Sequence, residues 1–251
     1  MISLFSPHWR IDRIETILFD KDGTLIDSHI YWGRIIERRS RALIEMFGLK
    51  DEMYPLLCAE MGFSLEKKAL LPEGPIALVS REKVIDILVE FLKQEGIPAD
   101  FSRIDKLFIQ VHSDFLKEIN SYIRILPGVE DFLREIKSKR VKLAVVTTDS
   151  INNTREIMRF LGIDKYFDLL LGKEATLLPK ISGKPALIAL EQLKADADTA
   201  IAIGDTSMDI TMAKQARLKA AVAVSLGQVS FEELNRETEY VVSGYNELKV
   251  A

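Results

Sequence analysis

Thr16-Ile17-Leu18-Phe19-Asp20-Lys21-Asp22-Gly23-Thr24-Leu25 passes in one step from a short apolar run to two acids and a glycine. A run of this kind, Thr16 to Phe19, predicts a parallel strand buried on both faces. Outward from it, Leu143 to Thr147, Phe167 to Leu171 and Ala200 to Ile203 repeat the pattern, and Ala221 to Val224 and Tyr240 to Val242 extend it. Between these runs lie helix-length segments. Ile151, Ile157, Met158 and Leu161 recur at helical spacing before Gly162, and Leu187, Leu190 and Leu193 do so within Ala186 to Lys194. Strands alternating with helices imply a parallel sheet with right-handed crossovers, an α/β, Rossmann-like three-layer core.

From Ser28 to Ile125 the periodicity is helical, with no buried strands between. Trp32, Ile35, Ile36, Leu43, Met46 and Phe47 form one stripe. Val84, Ile85, Leu88, Phe91 and Leu92, closed by Gly96, form a second, and Ile104, Leu107, Phe108, Val111 and Phe115 a third. This predicts an inserted helical domain over residues 28–125, with residues 1–27 and 126–251 making the core. Leu126-Pro127-Gly128 punctuates the return.

Composition narrows the function. With 47% hydrophobic and 29% charged residues the chain reads as a globular protein. The formal net charge of -4 gives no basic field for nucleic acid or anionic lipid. No stretch approaches the run of about 18 apolar residues that a membrane span needs, and the N-terminus does not read as a secretory signal. Cys58 is the single cysteine and sits among apolar neighbours as a small core residue, so a reducing, cytoplasmic location is expected. Residues 1–12 read as a lead-in arm, and oligomeric state is not legible.

The chemistry-bearing residues gather where the predicted strands end. A carboxylate such as Asp20 can attack phosphorus, and a second carboxyl two residues on, Asp22, can serve as acid and then base; a simple acidic turn is the alternative. Gly23 permits a sharp turn and close approach of backbone to ligand. After Ile203-Gly204, Asp205 is placed to ligate magnesium, which favours oxygen donors, and Asp209, one helical turn later, to orient metal-bound water. Acidic capping of a helix is the alternative there. Thr147 and Thr148 offer a hydroxyl and amides to a phosphoryl group. Lys184, in Ser182-Gly183-Lys184-Pro185, offers a compensating positive charge, or is merely solvated.

In their order, Asp20 and Asp22, Thr147, Lys184, then Asp205 and Asp209, the chain resembles the haloacid dehalogenase (HAD) superfamily over nearly its whole length. The resemblance implies Asp20 as nucleophile, and Asp22 as acid/base that also gives a backbone carbonyl to Mg2+. It implies Thr147 and Lys184 as phosphoryl ligands and Asp205 as metal ligand, so that the metal set is Asp20, Asp22 and Asp205. The insert is similar to a C1-type cap, and Asp20 to Ser28 is similar to small-metabolite phosphatases of the phosphoglycolate phosphatase-like group.

Within that family Asp22 argues against dehalogenases, which lack the second aspartate, and against transport ATPases, which carry threonine there. Lys67 and Lys68 leave a phosphonate hydrolase open. Gly204 stands where sugar phosphomutases typically have a second acidic ligand, which favours a hydrolase. A non-catalytic binding module on the same scaffold is the alternative from another class. The expected substrate is a small phosphorylated molecule; Arg34, Arg38, Arg39 and Arg81 are candidates to meet a second anionic group. Ala216-Arg217 departs from the Ala-Gly pair frequent in relatives and places the local turn in question.

Overall fold

A computed structural model describes residues 1–251, the side chains of Ala77, Leu78 and Asn120 excepted. In chain order the elements are β1 (Ile2–Phe5), β2 (Arg10–Ile14), β3 (Thr16–Phe19), α1 (Ser28–Phe47), α2 (Met53–Glu60), β4 (Phe63–Ser64), β5 (Ala69–Leu70), α3 (Pro75–Leu78), α4 (Arg81–Gln94) and α5 (Phe101–Lys117). They continue with α6 (Val129–Ser138), β6 (Lys142–Val146), α7 (Ile151–Phe160), β7 (Leu169–Leu171), α8 (Lys184–Leu193), β8 (Ala200–Gly204), α9 (Ser207–Gln215), β9 (Ala220–Val224), α10 (Phe231–Leu234), β10 (Val241–Val242) and β11 (Lys249–Val250). The chain divides into two compact units, Met1–Asp27 with Arg124–Ala251, and Ser28–Ile123.

The first unit is built on a six-stranded parallel sheet of order β10-β9-β8-β3-β6-β7. Every residue of β3 is buried, because the strand lies between β6 and β8 and is covered on both faces. Successive side chains alternate between the layers. Leu18 joins Ala144, Ala202, Ala186, Ala189, Ile210 and Ala213 on the face covered by α8 and α9. Phe19 points the other way and meets the rings of Phe132 on α6 at 6.4 Å and of Phe167 at 5.9 Å. Small alanines on one face and aromatic rings on the other give a three-layer α/β core of Rossmann type.

The chain leaves β3 toward β6 and β7 on one side and returns to β8, β9 and β10 on the other. This reversal opens a crevice at the carboxyl ends of β3, β6 and β8, the place where open parallel sheets bind ligands.

The N-terminal segment is not a free arm. β1 pairs antiparallel with both β2 and β11 in a separate three-stranded sheet, the amide of Ser3 donates to the carbonyl of Ala251 at 2.9 Å, and the indole of Trp9 donates to the carbonyl of Val241 at 3.2 Å. The partner strand lies at the opposite end of the sequence, so local periodicity carries no trace of it.

The second unit is a helical bundle with its own core, in which Ile36, Leu43, Val84, Ile85, Leu88, Leu92, Ile104 and Phe108 are all buried. Cys58 is fully buried there and donates to Ser40 Oγ at 3.3 Å. A two-stranded hairpin, β4–β5, which the helical periodicity does not announce, links α2 to α3. No helix is long and apolar enough to cross a membrane among the described residues.

Candidate active site

Asp20 is the first residue beyond β3, and its amide donates to the carbonyl of Ile203 at 2.9 Å. The following loop closes tightly, with the amides of Leu25 and Ile26 both donating to the carbonyl of Lys21. Gly23 adopts φ +77° in this loop, and a Cβ there would stand 2.1 Å from Asp205 Oδ2. Glycine therefore serves twice at this position, by tolerating the left-handed conformation and by leaving room for a carboxylate.

Asp205 follows β8 and is 3% exposed. The Thr24 hydroxyl donates to its Oδ1 at 3.1 Å. Burial, then the charges of Asp20 and Asp209, push its carboxyl well above the usual range. Asp209 sits in the first turn of α9, where its Oδ2 accepts from the Thr206 amide at 3.1 Å and the Thr206 hydroxyl at 2.8 Å, closing a capping box. Its other oxygen, Oδ1, lies 2.6 Å from Lys180 Nζ.

Lys180, not Lys184, brings positive charge to this cluster. Its ammonium is buried and bridges Asp20 Oδ1 and Asp209 Oδ1. Burial works to lower its pKa, yet the two carboxylates hold it above the usual lysine range. Lys184 is the first residue of α8, with an exposed side chain that makes no ion pair among the described residues. The reason is local. Lys180–Ser182 forms a 3-10 turn ending at Gly183, φ +74°, which directs Lys180 inward and leaves Lys184 to start the helix. One signal pointed this way: the positive end of a helix is a poor position for a cation, whereas a lysine one turn earlier lies in the loop.

A second ion-pair system lies alongside. Lys21, fully buried, contacts Asp22 Oδ2 at 3.0 Å and Asp149 Oδ2 at 2.9 Å. Local sequence pattern gives Lys21 no role, because its partner Asp149 comes from the loop after β6. Burial raises the carboxyl of Asp22 above the ordinary range, with Lys21 opposing and Asp149 reinforcing. Asp149 is subject to the same burial, but Lys21 and its hydrogen bonds hold it below. Thr147, at the end of β6, is buried, and its Oγ1 accepts from the Asp149 amide at 3.1 Å, leaving the hydroxyl proton free to donate elsewhere. Thr147 and Thr148 line a cavity of about 210 Å³ together with Lys173, Thr176 and Lys180.

Asp20, Asp205 and Asp209 each offer a carboxylate oxygen within 4.8 Å of the other two. Burial pushes Asp20 up to about 7, reinforced by Asp209 and Asp22 and opposed by Lys180. Three closely set carboxylates that share one lysine are electrostatically under-compensated, and an all-oxygen donor set fits a hard divalent cation. The Asp22 carboxylate, by contrast, is taken by Lys21 and lies outside this group, so only its backbone carbonyl remains for a metal.

Gly204 is closed to any side chain, since a Cβ there would lie 2.1 Å from Asp209 Cγ. The questioned turn at Ala216-Arg217 survives: Arg217 itself takes the left-handed conformation, φ +53°, after α9.

Comparisons with known proteins give the chain's family and its structural neighbours. The family described as haloacid dehalogenase-like hydrolase matches residues 14–217. A phosphoglycolate phosphatase of Aquifex aeolicus is 30% identical over 212 residues, covering 84% of this chain and 85% of that protein. Two crystal structures share the fold. One is of a predicted phosphoglycolate phosphatase from Haemophilus somnus 129pt, with TM-score 0.72, 20% identity, and 94% and 96% of the two chains covered. The other, a β-phosphoglucomutase from Clostridium difficile, has TM-score 0.62, 21% identity, and 93% and 92% covered.

Proposed function

Since the chain belongs to the haloacid dehalogenase-like hydrolase family and is a phosphatase, we propose that it hydrolyses small phosphomonoesters with Mg2+ through an aspartyl-phosphate on Asp20. The observation that carries this reading is the meeting of Asp20, Lys180, Asp205 and Asp209 at the carboxyl edge of the sheet.

Asp20 and Asp205 are the side chains that would hold the ion, with the Asp22 carbonyl beside them, and Asp209, whose oxygens are engaged by Thr206 and Lys180, would orient water around it. When bound, Mg2+ supplies charge neutralisation and orientation of the phosphoryl oxygens. Lys180 and the Thr147 hydroxyl take the remaining phosphoryl oxygens, which assigns to Lys180 the part that the sequence pattern suggested for Lys184. Asp20 attacks phosphorus in line, and Asp22, whose carboxyl is raised by burial, donates its proton to the departing alcohol oxygen. Asp22 then accepts a proton from water as that water attacks phosphorus, and the bond from phosphorus to Asp20 breaks to release phosphate.

Hydrolysis is favoured over phosphomutase chemistry by Gly204, which has no room for an acidic side chain beside Asp205. Similarity to a phosphoglycolate phosphatase supports a small phosphorylated metabolite as substrate. The test is p-nitrophenyl phosphate hydrolysis with Mg2+ and with EDTA, in the wild type and in Asp20→Asn. Turnover that needs the metal and vanishes in a folded Asp20→Asn protein is expected; substantial hydrolysis by that variant would refute the assignment.

A further inference from the structure

A cavity of about 290 Å³ lies wholly within the Ser28–Ile123 unit, lined by Arg34, Glu37, Arg38, Arg41, Tyr54 and Tyr122. It owes its chemistry to the register of α1. Residues 34, 38 and 41 stand at i, i+4 and i+7, so their side chains share one helix face. At a rise of about 1.5 Å per residue the first and last are about 10 Å apart along the axis.

Aromatic rings hold these guanidinium groups in place. Tyr122 stacks on Phe115 with centroids 5.6 Å apart and planes at 18°. Arg38 lies over both, 5.2 Å from the Tyr122 centroid and 5.6 Å from that of Phe115, and donates to the Tyr122 hydroxyl at 3.2 Å. Arg34 lies 5.7 Å from the Tyr122 centroid, and Arg41 lies 4.4 Å from that of Tyr54. Glu37 engages Arg34 at 2.6 Å, and Glu118 engages Arg38. Arg41 makes no ion pair among the described residues. The three arginines therefore outweigh the two acids that pair with them, and among the described residues most of their N–H donors have no protein acceptor.

Guanidinium forks match phosphate oxygens in geometry as well as charge, and fixing them on ring faces beforehand lowers the entropy lost on binding. The anchor points of the three side chains are spread over about 10 Å of helix, a length that a linear chain of two or three phosphates matches better than a single phosphate. We propose that this face of α1 is a binding site for a linear oligophosphate, formed entirely by residues of the helical insert. The recognised chemistry is the phosphate chain, free or carried by a nucleoside.

Titration calorimetry on the full-length, metal-free protein tests this, with inorganic tripolyphosphate and adenosine triphosphate as probes. The expected result is saturable binding of tripolyphosphate that weakens with added salt. Arg41→Ala should weaken it about tenfold, as for loss of one charged hydrogen-bonding group, and Arg41→Lys should recover part of the loss. Tyr122→Phe, which releases Arg38, should weaken it severalfold. In all three variants kcat and competitive inhibition by inorganic phosphate should match the wild type. Equal affinities for the two probes identify the chain alone as the ligand, and tighter nucleotide binding adds the nucleoside; both support the site. Absence of binding, or binding that Arg41→Ala leaves unchanged, would overturn it.

Discussion

Replacing Lys180 with methionine separates the two lysines that compete for the central position. Methionine fills similar volume but leaves the Asp20 and Asp209 carboxylates facing each other across a buried gap. In the intact protein the Lys180–Asp209 contact is 2.6 Å. At an effective dielectric of about 20, a separation near 2.6 Å corresponds to an attraction of about 6 kcal/mol. Desolvation offsets part of it, and removing one partner of a buried pair costs about 3–5 kcal/mol. Protonation relieves part of the loss, since Asp20 already sits near 7 with Lys180 present and moves higher without it. The deficit should therefore be largest at about pH 8 and shrink toward about pH 5.5, where the variant carries the extra proton at little cost. Lys184→Met, on an exposed side chain without an ion pair, should change stability by less than about 0.5 kcal/mol. Urea unfolding in EDTA at both pH values reads the stabilities, and p-nitrophenyl phosphate hydrolysis with Mg2+ reads activity. Equal costs at the two positions, or a Lys180→Met midpoint indistinguishable from wild type at about pH 8, would refute this reasoning.

Metal-free protein should lose stability as pH rises from about 4 to about 7: Asp20 is raised to about 7, so the folded state binds more protons than the unfolded chain across that window. Calorimetric melting in EDTA against pH checks this, and a rise in Tm over that range counts against it. Gly204→Ala should cost about 1–3 kcal/mol, because the methyl group meets an Asp209 side chain locked by its cap and by Lys180; thermal unfolding at wild-type temperature would show that the neighbour yields. Arg217→Gly should gain about 0.5–1 kcal/mol by relieving the left-handed conformation at an exposed site, measured as a higher urea midpoint. The Cys58 thiol, fully buried and pushed up by that burial, should resist Ellman's reagent until the protein is unfolded; rapid reaction in native buffer would contradict its placement.

The parts of the fold that could be read from the sequence are those written in continuous local pattern. β3, β6 and β8 are covered on both sides, so each appears as an uninterrupted apolar run, and an acid directly after such a run falls at the crevice whatever the details of packing. Thr147, Asp20 and Asp205 occupy strand ends for that reason. Features settled by distant partners were not readable. β1 finds β11 across almost the full length of the chain, and Lys21 meets in Asp149 a partner from the loop after β6. Lys180 and Lys184 illustrate the limit most sharply: four residues apart in one loop-to-helix segment, they differ in burial and in partners through a single left-handed turn at Gly183.

The point at which the helical insert leaves the core is a short antiparallel stem: Ile26 bridges Ile125, the amide of Leu126 donates to the carbonyl of Leu25 at 3.0 Å, and that of Asp27 to the carbonyl of Arg124 at 2.9 Å. Chain ends paired in this way can be joined by a tight two-residue hairpin. A gene from which codons 28–123 are deleted and replaced by Asn-Gly would keep every strand of the six-stranded sheet in register. The insert is thus bounded by a single stem, and exchange of whole inserts there would leave the core's carboxylates on their own strand ends.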